Sequence, residues 1–286
     1  MKTRILLGAV MIAAVAAVFY FDWRMERAGG LGDWATGLPM VVVVLFLIPP
    51  AFWEIARLAH GAGLGVLHVS GLLGSVGLGL WPYWGRLLWR QGAGDSPVAL
   101  AGLLMLPIFA EQMVRFRTAD ALRRIAATVL AMLYLGVGAA AMLSIRMSWG
   151  VPVLVLFLAA VKFTDMGAYF VGSAVGRHKL IPWLSPGKSW EGLFGGLATG
   201  AATGALAAWA LHVRNLSVWQ AAAFGAIIGA AGQFGDLCES LLKRSVQVKD
   251  SGKAVPQYGG VLDILDSLLL SAPVAWVILS AAPVLK

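Results

Sequence analysis

Nine apolar runs, each near the length of a membrane-crossing helix, take up most of the 286 residues: about 5–21, 36–50, 62–84, 97–113, 125–145, 149–173, 192–211, 218–243 and 264–284. A hydrocarbon core about 30 Å thick is crossed by about 20 helical residues. Because lipid offers the backbone no hydrogen-bonding partner, such a chain must satisfy its N–H and C=O groups internally, as helices. The composition agrees, with 59% hydrophobic and 13% charged residues and a mean hydropathy of +0.81, whereas soluble domains carry about a quarter charged residues. The expectation is an all-α, polytopic integral membrane protein of about nine transmembrane helices, without a soluble domain. The first run is longer than the roughly 7–15 apolar residues of a secretory signal, so a retained first helix is expected.

Positive charge orients the spans, since loops facing the cytoplasm keep Lys and Arg. With nine spans, the N-terminus and the even-numbered connections hold 14 Lys and Arg residues; the opposite side holds 7, and Lys162 falls inside the sixth span. This bias places the N-terminus and the basic loops after spans six and eight in the cytoplasm. The net charge of +8 is then explained by anionic headgroups, because juxtamembrane cations gain about 1 kcal/mol each near such a surface. Nucleic acid is not the expected partner. One cysteine, Cys238, and four scattered histidines exclude an intrachain disulfide and make a zinc site improbable.

Chemistry is concentrated late in the chain. Residues 1–148 show no clustered constellation and are expected to form a supporting set of transmembrane helices, with residues 149–286 as the catalytic half. Gln233–Ser267 holds five of the fourteen acidic residues, and carboxylates are expensive in lipid, so they mark function. Asp236, Glu239, Ser240 and Lys243 are spaced i, i+3, i+4 and i+7, on one helix face. Asp263 and Asp266 form a second i, i+3 pair, and Lys243, Arg244, Lys249 and Lys253 lie between the two pairs. Carboxylates suited to a cation beside cations suited to an anion point to a metal and a phosphate compound.

A second constellation runs from Thr164 to Gly192, with Asp165 near the end of span six and Arg177, His178, Lys179, Ser185, Lys188 and Ser189 in the following loop. These donors suit phosphate oxygens. The Gly187-Lys188-Ser189 triplet is not a nucleotide P-loop, because position 182 is Pro where that pattern needs Gly and no soluble strand–loop–helix unit surrounds it. Ser189 or Ser185 is expected to cap the next helix, whose N-terminal amides favour an anion. Beyond the cap, Gly192, Gly196, Gly200 and Gly204 recur every four residues, the small-residue face that lets membrane helices approach closely.

At these residues the chain resembles the phosphatidate cytidylyltransferases, or CDP-diacylglycerol synthases. That family's C-terminal signature runs Ser-x-x-Lys-Arg, Lys-Asp, then Pro-x-His-Gly-Gly-x-x-Asp-Arg-x-Asp. Here Ser240, Lys243, Arg244, Lys249, Asp250, Pro256, Gly259, Gly260, Asp263 and Asp266 stand at matching spacing. The segments at 165–196 and 233–240 are also similar. Two positions depart, Tyr258 for the His and Ile264 for the Arg; Ile has neither the charge nor the forked donors of Arg.

The resemblance implies transfer of a cytidylyl group from CTP to phosphatidate; the expected location is a cell inner membrane, with the active-site loops on the cytoplasmic side that the charge bias selects. It implies Mg2+, with or without a second cation, on Asp236 and Asp263, with Asp266 and Glu239 completing the shell. Lys243, Arg244 and Lys249 would offset charge on CTP and pyrophosphate. Ser185, Lys188, Ser189, Glu191, Asp165, Ser240, Asp250 and Tyr258 are the further substrate-binding positions. Expected partners are CTP, phosphatidate and membrane lipid, and the resemblance allows a homodimer. Competing readings are a CTP-using lipid kinase or ether-lipid cytidylyltransferase, an inactive relative, and an ion-coupled transporter. The last predicts paired repeats, and the two halves show none.

Overall fold

A computed structural model describes residues 2–27, 35–88, 97–213, 216–254 and 259–281. It is helical apart from one short hairpin. The elements are α1 (Lys2–Arg27), α2 (Leu38–Gly61), α3 (His68–Gly79), α4 (Trp81–Leu88), α5 (Pro97–Glu111), a π-helical turn (Gln112–Phe116), α6 (Ala121–Val175), the strands β1 (Lys179–Ile181) and β2 (Ser185–Ser189), α7 (Trp190–Ala210), α8 (Val218–Ser245) and α9 (Leu262–Ala281). Among the described residues α2, α6, α7, α8 and α9 are long and apolar enough to cross a bilayer. The protein is an all-α polytopic membrane protein.

At 55 residues α6 would be about 80 Å long if straight, far more than a bilayer core. It turns at Gly150, whose φ of 80° and ψ of 179° are open to glycine and strained for other residues. The expected spans 125–145 and 149–173 are its two arms. Beside the turn, the buried guanidinium of Arg146 donates to both carboxylate oxygens of Asp22 at 2.5 and 2.9 Å and lies 3.3 Å from Glu26, tying α1 to α6.

Two expected boundaries are corrected. The run 36–50 extends through Pro49 and Pro50 to Gly61, because a proline costs one i→i−4 bond and packed membrane helices absorb that loss. The run 62–84 is not one span: after Gly63, with φ of 73°, the chain links to α3, whose 12 residues rise only about 18 Å, and α4 follows beyond Leu80. Uniform apolarity hid that break. Small residues lodge α3 in the core, with Gly71 on Phe52 and Thr128, Gly74 on Met132 and Gly79 on Ala139.

The second arm of α6 packs with α7, α8 and α9 at backbone contact distance. The four-residue glycine face of α7 is wholly buried. A side chain added at Gly196 would strike Thr164 and Ala168 of α6; one at Gly204 or Gly225 would strike the facing backbone of α8 or α7. This close approach of bare backbones sets α8 against α9, where Gly235 abuts the carbonyl of Asp266. The polar residues of these helices thereby meet at one end of the bundle.

Candidate active site

One carboxylate oxygen each from Asp236, Glu239 and Asp266 lies within 4.8 Å of the other two. Asp236 and Glu239 project from one face of α8, and Asp266 comes from α9. Glu239 is fully buried. Its Oε2 accepts from Lys243, while Oε1 is buried with no hydrogen-bond partner among the described residues. A buried carboxylate oxygen without a donor is costly. Three such oxygen ligands suit a hard divalent cation, so the residues present fit the Mg2+ expected from the sequence.

Asp263 stands outside that group. Its Oδ1 accepts from Lys243 Nζ at 2.7 Å, and its Oδ2 accepts from Ser251 N at 3.0 Å, Ser251 Oγ at 2.9 Å and Gly260 N at 2.6 Å. In the first turn of α9 it also lies at the positive end of the helix dipole. Lys243 Nζ thus sits between Glu239 and Asp263, joining the three-acid group to the loop. Gly259, with φ of 94°, and Gly260 are required here, since a side chain on either would run into the Asp263 or Glu54 carboxylate.

The hairpin adds a cation from the other flank. Ser189 caps α7, its Oγ accepting from Gly192 N at 3.1 Å, and Lys179 pairs across the hairpin with Ser189. Lys188, on β2, reaches α8: its Nζ lies 2.7 Å from Asp236 Oδ2 and donates to Gln233 Oε1 at 2.9 Å. Gln233 Nε2 donates onward to Asp165 Oδ1 at 2.8 Å. Glu191 holds the base of the hairpin, accepting from the backbone of Arg177 and His178 at 3.2 Å and pairing with His178 Nδ1 at 2.6 Å. Arg244 donates to the carbonyls of Val248 and Leu184, linking α8 to the hairpin. Ser240 Oγ is a long 3.5 Å from Asp236 Oδ1. Ser185 faces Ile181 across the hairpin, Lys249 and Asp250 are exposed on the loop, and Tyr258 lies outside the described residues.

Two polar residues central to this arrangement were not singled out by sequence. Lys162 donates to Ser267 Oγ at 2.8 Å and to the carbonyl of Ile264 at 2.9 Å, and lies 3.8 Å from Asp165. Its i, i+3 spacing to Asp165 was the available signal. Glu54 comes from α2, in the half read as supporting. Buried at 4% exposure, it accepts from Ser251 Oγ at 3.1 Å, Val261 N at 3.0 Å and Leu262 N at 2.7 Å. It therefore fixes both ends of the loop and satisfies donors at the start of α9. Glu54→Gln turns an amide toward these donors, and each buried N–H left unpaired costs about 1–3 kcal/mol. The expected result is faster hydrogen exchange at the Val261 and Leu262 amides; unchanged protection would remove Glu54 from this role.

Known proteins match this chain well beyond the site residues. The cytidylyltransferase family matches residues 2–282. The chain belongs to that family. Among curated relatives of this cytidylyltransferase-family protein, a phosphatidate cytidylyltransferase of Mycobacterium leprae is 40% identical over 126 residues, 44% of this chain and 40% of that protein. A phosphatidate cytidylyltransferase of Brucella suis is 40% identical over 124 residues, 43% of this chain and 45% of that protein. An uncharacterized Escherichia coli protein, YnbB, is 43% identical over 126 residues, 44% of this chain and 42% of that protein. The matched stretch spans under half the length of each of these relatives.

Proposed function

We propose that this family member transfers a cytidylyl group from CTP to phosphatidate, yielding CDP-diacylglycerol and pyrophosphate. The observation that carries the reading is the Asp236–Glu239–Asp266 group, with its orphaned Glu239 oxygen, flanked by Lys188 and Lys243. A phosphate monoester oxygen of the lipid attacks the α-phosphorus of CTP, and the bond to the β-phosphate oxygen breaks. The nucleophile is already anionic, so no strong general base is needed; the barrier is bringing two polyanions together. Mg2+ held by Asp236, Glu239 and Asp266 would neutralise charge between them. Lys188 and Lys243 supply fixed positive charge on either side of the carboxylates, and Arg244 and Lys249 would offset charge on the departing pyrophosphate. Ser185, Ser189 and the α7 N-terminus orient a phosphate group.

Catalytic groups come from residues 149–286, and residues 1–148 support them, with Glu54 as the contribution that reaches the loop. The Arg missing at Ile264 has a neighbouring cation in Lys162, whose ammonium meets that residue's own carbonyl. The site faces the cytoplasm of a bacterial inner membrane, the side that the basic loops choose. The test is purified protein in detergent with labelled CTP and phosphatidate, with and without Mg2+. Cytidylyl transfer releases pyrophosphate into solution and label into lipid. Release of CDP would make the protein a lipid kinase, and absence of Mg2+-dependent nucleotide binding would make it an inactive relative.

A further inference from the structure

A cavity of about 430 Å3 lies in the N-terminal half, bounded by Trp53, Arg57 and His60 at the end of α2, His68 at the start of α3, and Phe116 and Arg124 at the entry to α6. A second recess of about 360 Å3 shares Trp53 and Arg57 and runs on to Glu54 and Lys253. The cavity therefore opens beside the loop that Glu54 anchors, away from the three carboxylates. Among the described residues, no acidic side chain lines the larger cavity. Loop cations that only orient a membrane protein point into water. Arg124 instead lies over the Phe116 ring, 4.3 Å from its centroid, with Nε buried and without a hydrogen-bond acceptor among the described residues. The Arg124 side chain lines the cavity, and a guanidinium there offers forked donors to an oxyanion.

The outer face of α2 shows what else the ligand carries. Val42, Phe46, Trp53, Arg57 and His60 follow one another at intervals of four, seven, four and three residues, one helix face, and all are exposed. Phe46 is 75% exposed and Trp53 49%. From Val42 to His60 the face passes from aliphatic to aromatic to cationic, the order of acyl, interfacial and headgroup layers in a bilayer. A free phosphate or a nucleotide would meet the cations and have no use for the apolar face. We propose that this cavity binds the phosphate head of an anionic glycerophospholipid whose acyl chains lie along α2.

The inference does not rest on the transfer reaction, since binding needs neither CTP nor metal. Its test is lipid retention by the full-length protein in phosphatidylcholine nanodiscs doped with phosphatidate or phosphatidylglycerol, without nucleotide or divalent cation. Each of Arg57→Gln and Arg124→Gln should weaken retention about tenfold, the scale of one charge-assisted phosphate contact, with Arg57→Lys retaining more. Loss for both lipids means the site reads any phosphate head; loss for phosphatidate alone means it holds the monoester substrate. Retention unchanged in both variants, or displacement of lipid by millimolar inorganic phosphate, overturns the proposal. Arg124 packs against Gly65, so if its variant fails to fold, the exposed Arg57 carries the test. Arginine-dependent retention in a protein that makes no CDP-diacylglycerol would refute the proposed function alone.

Discussion

Asp236→Asn is expected to lower CTP-dependent turnover by about a thousandfold while leaving the thermal midpoint in detergent nearly unchanged. A cation that neutralises charge in phosphoryl chemistry contributes several kcal/mol, and each 1.36 kcal/mol is tenfold in rate. Asn keeps the volume of Asp, and Lys188 retains its acceptor on Gln233, so the fold has little to lose. Asp263→Asn is the informative partner. Its Oδ2 accepts from three donors of the loop and its Oδ1 from Lys243, so this change should lower turnover and also loosen residues 251–254 to protease. If Asp263→Asn instead shifts only the Mg2+ requirement and spares the loop, the metal belongs on Asp263, as the family resemblance implies. Near-normal turnover of Asp236→Asn would end the three-carboxylate assignment.

Local periodicity carried much of this site. Asp236, Glu239 and Lys243 were legible as one face because i, i+3 and i+7 are properties of any helix, and the glycine face of α7 was legible for the same reason. The resemblance put the metal on Asp236 and Asp263, whereas it is Asp266 that stands within reach of Asp236 and Glu239. The difference depends on donors from Ser251 and Gly260, which claim Asp263 through a tertiary turn that no spacing encodes. Lys188 and Asp236 are far apart in the chain, and only the packing of α7 on α8 brings β2 beside Asp236. Glu54 was obscured by a different cause: the apolar run read from sequence stopped at residue 50, before it, yet the helix continues and carries the carboxylate to the loop.

Lys243→Met should be the most destabilising single change at the site. The ammonium is buried between Glu239 and Asp263, and removing one member of a buried ion pair leaves a charge uncompensated, at a cost of about 3–5 kcal/mol. Here two carboxylates are stranded together, and with Asp236 and Asp266 close by they repel one another. A marked fall in the thermal midpoint is therefore expected, together with loss of turnover. Arg244→Met is the control: its side chain is exposed and, among the described residues, donates to backbone carbonyls alone, so stability should change little. Adding Glu239→Gln to Lys243→Met removes one stranded charge and should recover part of the midpoint without recovering activity, since a ligand of the cation is then lost as well. If Lys243→Met melts with the parent protein, the ammonium is not what holds these acids together, and its place in the site reduces to a positive charge near the phosphates.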